Sequence, residues 1–327
     1  MFGKKESGGW VTYRPEIKVL DCTIRDGGLI NDHFFEDGFV KAVYDACVAA
    51  GIDYMELGYK ADKKLISTDE FGPWKFCTED DIRRIVDDNP TDLKLSAMAD
   101  AERTDYHNDI LPKEQSVLDM IRVATYIHQI PVAIDMVNDA HDKGYETTVN
   151  LMALSTVNER ELGEALDALA ASPVGTVYVV DSFGSLSSEQ VRESTNFFLE
   201  KLKPAGKEVG IHMHNNQQLA YGNTIEGLIA GANLIDATIN GMGRGAGNCS
   251  TELLIGFLHN PKLHLRPILD CIQNDFLPLQ DKMEWGYQLP YMVTGLLNQH
   301  PRAAIKMRGG EGRDNYVDFY DEMVEEE

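Results

Sequence analysis

The sequence predicts an α/β fold: a (β/α)8 TIM barrel with a C-terminal helical appendage. Three observations carry the prediction. Short β-rich runs alternate with longer helical patterns eight times. The alternation fills residues 18–260, the size expected of a closed eightfold barrel. A doubly wound open sheet is the rival, but it more often carries an early glycine-rich phosphate loop, and no GxGxxG follows the first strand.

The strands are expected near KVLDCT (18–23), DYMELG (53–58), LKLSAMA (93–99) and MIRVATY (120–126), then at ETTVNLMAL (146–154), TVYVVD (176–181), EVGIHMH (208–214) and NLIDATI (233–239). Between them lie helical patterns such as DGFVKAVYDACVAAG, TEDDIRRIVDDN, PVAIDMVNDAHDKG and NERELGEALDALAAS. Several open on a residue that can cap free amides, such as Thr78 or Asn158, and several close on Gly, Asn or Ser. The interval DKKLISTDEFGPWKF after the second strand reads equally well as a lid and as a plain βα loop. Residues 1–17 read as an N-terminal extension, and residues 261–327 as short helices with an acidic tail, DFYDEMVEEE, expected to be solvated or frayed.

Composition narrows the function. A formal net charge of −23 argues against nucleic acid or an anionic membrane as partner, since both need cationic surface, but leaves room for a small anionic substrate. The five cysteines are scattered and form no CxxC pair, so neither a disulfide framework nor a thiolate zinc knot is signalled. Cys22 and Cys249 read as small buried fillers. The N-terminal run lacks the apolar core of a signal peptide, and no segment is long enough to span a bilayer, so a cytoplasmic setting is expected.

Barrel active sites gather at the C-terminal ends of the strands. His212 and His214 flank Met213 at the end of strand seven, where alternation points both rings to one face. Alone, such a pair reads more readily as structural; Arg25 and Asp26 just past strand one turn the reading toward metal. Asp26, His212 and His214 make a mixed nitrogen and oxygen set suited to Mn²⁺, Mg²⁺, Co²⁺ or Zn²⁺, with positions left for substrate. Arg25 is either a salt-bridge partner or a guanidinium placed to stabilise an oxyanion. Glu56, ending strand two, either orients Arg25 or is a bare solvated carboxylate. NGMGRGAGN (240–248) is either an anion cradle or a tight loop needing positive φ. Asn248 closes that run as a fourth ligand or a hydrogen-bonding neighbour of the ligands, and Ser182, beside Asp181, is placed to hold a substrate carboxylate.

Together these residues resemble the DRE-TIM metallolyase superfamily, which also includes HMG-CoA lyase-like enzymes, and most closely its 4-hydroxy-2-oxovalerate aldolase branch. The resemblance rests on DCTIRDGG, VATY, VNLMAL, VYVVDSFG, the block GIHMHNNQQLAYGNTIEGLIAGANLIDATINGMGRGAGN, and LPLQDK followed by GYQLPY. It implies a divalent cation, usually Mn²⁺ or Mg²⁺, on Asp26, His212 and His214, with Asn248 matching a ligand position of the acyl-CoA lyases. It also implies a carbon–carbon lyase of class II aldolase type, in which a 2-oxo acid such as pyruvate chelates the metal and Arg25 stabilises its enolate. The other chemistry within the superfamily is condensation of an acyl-CoA with a 2-oxo acid, as in isopropylmalate and homocitrate synthases. Relatives of this branch commonly pair with an acylating aldehyde dehydrogenase, and a homo-oligomer is expected. One departure stands out: Leu29 occupies the position of the catalytic histidine, and Tyr126 that of another histidine. His33 and Tyr291 are the substitutes the sequence offers for the missing base.

Overall fold

The computed structural model describes residues 14–310 and 312–325, so most of the expected N-terminal extension lies outside the described residues. Eight parallel strands close in sequence order into a barrel: β1 (Lys18–Asp21), β2 (Tyr54–Tyr59), β3 (Lys94–Asp100), β4 (Met120–Thr125), β5 (Glu146–Leu151), β6 (Thr176–Asp181), β7 (Glu208–Met213) and β8 (Leu234–Ala237). Pairing of β1 with β8 closes the ring. All eight expected strands are present within a few residues at each end. Their outward side chains, Val19, Leu57, Leu95, Val123, Val149, Val177 and Ile211 among them, pack under the helices in one continuous core. Their inward side chains do something different. Leu20, Cys22, Tyr54, Met120, Tyr178, Val180 and Leu234 make a small apolar plug inside the barrel, and polar and charged groups are stacked above part of it.

The helices form where the caps were read. Thr78 makes a capping box with Asp81 at the start of Glu79–Val86, and the Asn158 side chain accepts from the Glu161 amide at the start of Glu159–Ala170. The helix Asp37–Ala50 ends on Gly51, whose φ of +72° is the left-handed cap conformation. The β3–β4 connection departs from the pattern, with only the single turn Tyr106–Asp109 and a 3-10 turn.

Two parts of the C-terminal region behave differently. The helix Leu265–Cys271 packs against Asp37–Ala50, and Ile268, Cys271 and Phe276 join the barrel's own core. The helices Leu289–Leu296, Arg302–Arg308 and Tyr316–Glu325 instead build a satellite cluster around Tyr291, Val293, Ala304, Phe319 and Met323. The acidic tail is therefore not frayed up to Glu325: Phe319 and Met323, four residues apart, put one apolar stripe of a helix into that cluster while the acidic side chains face water. No helix among the described residues is long and apolar enough to cross a membrane.

Gly51 carries a testable packing constraint. A Cβ there would lie 2.3 Å from the Lys262 carbonyl oxygen, at a φ that L side chains avoid, whereas a Cβ at Gly38 in the same helix meets open space. Gly51→Ala is expected to lower stability by at least about 1 kcal/mol, and Gly38→Ala to hold or raise it, by urea denaturation.

Candidate metal centre

Two ladders of sequence meet at the barrel mouth. β1 runs into a short helix, Thr23–Gly27, that turns Arg25 and Asp26 inward, and the alternation of β7 does the same for His212 and His214. One ligand atom from each of Asp26, His212 and His214 lies within 4.8 Å of the others, and all three side chains are buried.

The surroundings set each ligand's protonation. His212 Nδ1 is 2.9 Å from Asp236 Oδ2, and His214 Nδ1 donates to the Asp181 carbonyl at 3.0 Å, so each ring keeps Nε2 for a cation. His214 Nε2 is buried with no protein partner, and so is Asn248 Oδ1. The Asn248 amide donates to Asp26 Oδ2 at 2.5 Å, and Asn248 bridges back to His214 across the loop. Burial opposes ionisation of Asp26, but the Arg25 guanidinium, then the two imidazoles, hold its carboxyl well below the usual carboxylate range. Burial pushes His214 down to about 3, against the pull of Asp26. A carboxylate, two imidazoles and an orphaned amide oxygen fit a hard or borderline divalent cation. Cys22, His212 and Asp236 also cluster, but Asp236 already holds His212 Nδ1 and Arg122, so it orients the ligand set from behind.

Beneath the ligands runs a buried ion network. Arg25 Nε donates to Glu56 Oε2 at 2.7 Å and Arg25 Nη1 to Asp26 Oδ1 at 2.5 Å. Arg122 Nη1 donates to the same Glu56 oxygen at 2.8 Å, and Arg122 Nη2 to Asp236 Oδ2 at 2.6 Å. Arg122 also stacks over Tyr178, 4.5 Å from the ring centroid. Glu56 is fully buried, does not line the cavity and accepts from Arg25 Nε.

The cavity above the ligands is lined by Arg25, Tyr59, Tyr126, Asn150, Ser182, Arg244 and His300, among others. Ser182 stands there as expected; its Oγ accepts from the Ala153 amide at 2.9 Å and keeps its own proton to donate. Leu29 and Tyr126 line the cavity too, whereas neither proposed substitute base does. His33 is sealed behind the wall, edge-on to Tyr59 at 5.4 Å and pressed on Gly28, with both ring nitrogens unpartnered. Tyr291 packs against Gly245 in the satellite cluster. The imidazole that does reach the cavity besides the ligands is His300, from the turn before Arg302–Arg308. Sequence reading missed it because no strand-end position marks it. Arg122 and Asp236 were missed as well, although a charge midway along an inward strand face is itself a signal of a buried partner.

The glycines of 240–248 serve the tight loop. Gly241, Gly245 and Gly247 have φ of +61°, +62° and +79°, and the amides of Gly241, Met242, Gly247 and Asn248 bond within the loop and its approach. A Cβ on Gly243 would lie 2.6 Å from Asp26 Oδ2, so glycine lets this backbone press on the ligand set.

A family model described as HMGL-like matches residues 16–273. A protein of Mycobacterium tuberculosis named oxaloacetate decarboxylase is 31% identical over 313 residues, 91% of this chain and 89% of that one. A 4-hydroxy-2-oxovalerate aldolase of Pelotomaculum thermopropionicum is 30% identical over 244 residues, 75% of this chain and 70% of that one. The crystal structure of the N-terminal domain of a putative aldolase from Bacteroides vulgatus superposes with a TM-score of 0.75 at 29% identity, covering 89% of this chain and 96% of that one.

Two outcomes follow from the geometry. His212→Ala and Asp26→Asn should each abolish Mn²⁺ retention through gel filtration, measured by elemental analysis; normal metal content in both variants would remove the assigned ligands. Burial, then Lys75 and Arg25, pushes His33 down to about 3 from 6.5, so between those values the unfolded chain binds a proton that the folded chain does not. Stability should therefore fall as pH falls, by roughly 1.4 kcal/mol per unit from this group. His33→Asn, which tolerates the φ of +65° found there, should flatten the slope of urea midpoints between pH 7 and 5.

Proposed function

The chain belongs to the HMGL-like family, and we propose that it is a class II, metal-dependent aldolase. This carbon–carbon lyase cleaves a 4-hydroxy-2-oxo acid to pyruvate, or a similar 2-oxo acid, and an aldehyde. The observation that carries the reading is the convergence of Asp26, His212, His214 and Arg25 on one cavity, in a chain 30% identical to a 4-hydroxy-2-oxovalerate aldolase.

Asp26, His212 and His214 would hold the cation, with Asn248 as fourth ligand; the family resemblance favours Mn²⁺ or Mg²⁺, and the mixed imidazole and oxygen set also admits Co²⁺ or Zn²⁺. When bound, the ion supplies a Lewis acid for the substrate's 2-oxo group. Arg25 stabilises the enolate oxygen. Two of its nitrogens are fixed on Glu56 and Asp26, which aims the guanidinium and leaves Nη2 without a hydrogen-bond partner among the described residues. Ser182 offers its hydroxyl proton to the substrate's first carboxylate. The C4 hydroxyl proton passes to a base as the O–H pair becomes the C4 carbonyl. The C3–C4 pair moves into the enolate, and a proton returned to C3 completes pyruvate. His300 lines the cavity as a neutral ring in this reading: burial, then Arg244 and Arg302, pushes it down to about 4, and its Nδ1 accepts from the Arg302 amide at 3.2 Å, so its Nε2–H can donate to the C4 oxygen while water takes the proton.

A second reading is decarboxylation of oxaloacetate, favoured by the wide match to a relative of that name and by Leu29, since loss of carbon dioxide needs no base at C4. Condensation of an acyl-CoA with a 2-oxo acid has no comparable support. The proposal extends to a homo-oligomer, an acylating aldehyde dehydrogenase partner and a cytoplasmic setting. Exposed Leu296, Val317 and Tyr320 on the appendage support a docking face there, and five free cysteines support a reducing compartment.

The direct test is exchange of the pyruvate C3 protons in deuterated water, followed by NMR after removal of the ion. Exchange that needs Mn²⁺ is expected, and Arg25→Ala should keep the metal but slow exchange about 10²-fold or more. Absence of exchange in the loaded wild type would overturn the enolate chemistry.

A further inference from the structure

Three arginines stand in or directly under the cavity, and two are neutralised. Arg25 pairs with Glu56 and Asp26, and Arg122 with Glu56 and Asp236. Arg244 pairs with no carboxylate among the described residues. It lines the cavity together with the metal ligands, its Nη2 donates to the Ser182 carbonyl at 2.8 Å, and its Nε is buried with no partner among the described residues. A guanidinium with a buried orphan donor is costly unless an anion completes it.

Its placement is held by the loop. On one side Gly243 presses against Asp26 and Asn248; on the other, a Cβ at Gly245 would lie 3.1 Å from the Tyr291 ring. The side chain leaves this pinned segment beside Ser182, across the ligand set from the pair formed by Arg25 and Glu56. Charge bookkeeping agrees. Three carboxylates, Asp26, Glu56 and Asp236, face two guanidiniums, Arg25 and Arg122, which leaves one negative charge. A divalent cation and Arg244 turn that into two positive charges. A 2-oxo monoacid cancels one of them, and a diacid cancels both.

We propose that Arg244 receives a second carboxylate on the substrate, so that this chain acts on 4-hydroxy-2-oxo dicarboxylic acids and releases an aldehyde acid beside pyruvate. The proposal rests on the aldolase reading and adds the substrate class to it. The bookkeeping of the step is unchanged: C3–C4 breaks, its electron pair goes to the enolate, and the C4 hydroxyl proton goes to the base. The second carboxylate stays on C4 of the departing aldehyde throughout, bound to Arg244 before and after cleavage. Oxaloacetate also carries a second carboxylate, but there it is the leaving group. An arginine on it would hold back the electrons that must flow into C3, so Arg244 suits the hydroxy diacid better.

A matched pair tests this, because 4-hydroxy-2-oxoglutarate and 4-hydroxy-2-oxovalerate differ only in a terminal carboxylate or methyl. With the Mn²⁺-loaded full chain, pyruvate release should favour the diacid in kcat/KM. Arg244→Ala should erase about 10²-fold of that preference, chiefly through KM, with a far smaller loss on the methyl substrate. Arg244→Lys, which keeps the charge but not the fork, should retain part of it. A wild type that does not discriminate, or an alanine variant that loses equally on both, overturns the proposal. A loss confined to oxaloacetate decarboxylation would place the second carboxylate on the leaving group and overturn the substrate class. If the wild type cleaves neither member of the pair, the aldolase reading fails separately. Calorimetric titration with the same two compounds then decides: tighter diacid binding that Arg244→Ala abolishes supports the subsite, and equal affinities overturn it.

Discussion

Everything functional in this barrel depends on a buried chain of ion pairs that crosses its lumen from Arg25 through Glu56, Arg122 and Asp236 to His212. Arg122 and Glu56 are wholly removed from water. Either charge alone would cost several kcal/mol there, and the pairing offsets that cost although Glu56 Oε1, Arg122 Nε and Asp236 Oδ1 keep no partner among the described residues. Such an arrangement needs β1, β2, β4, β7 and β8 in fixed register, which barrel closure supplies. In return it aims Arg25 and sets the tautomer of His212, so one network serves both folding and the site.

Above that network the cavity is asymmetric. On the β1–β2 side the guanidinium of Arg25 is already matched by carboxylates. On the β6–β8 side Arg244 is unmatched and stands beside Ser182. Tyr126, Leu29 and His300 close the mouth between them. One side of the cavity is thus built from strand ends, and the other from loops and the appendage. The appendage is tied in through the barrel itself, since the Asn216 amide, two residues after His214, donates to the Tyr291 carbonyl.

Legibility in the sequence follows the same division. The strands and the convergence of Asp26, His212 and His214 were readable because alternation along one strand settles direction without knowledge of any neighbour. The side chains offered as bases from linear proximity do not line the cavity. His33 lies eight residues past Arg25, yet the turn at positive φ folds its ring behind Tyr59. Tyr291 sits in a motif that belongs to the resemblance, yet its ring packs against Gly245. The acidic tail read as frayed because its charges outnumber its apolar residues, and only the packing partners of Phe319 and Met323 show that a single stripe suffices.

By itself the sequence determined the eightfold alternation, the cluster of candidate ligands and the class of chemistry, since each depends on short-range spacing and on the donor properties of the side chains. Tertiary structure alone decided which charges cancel. The partners of Glu56, Arg122, Asp236 and Arg244 are tens to more than a hundred positions away or absent, and a charge's role in a dry interior is fixed by what lies within a few ångströms of it.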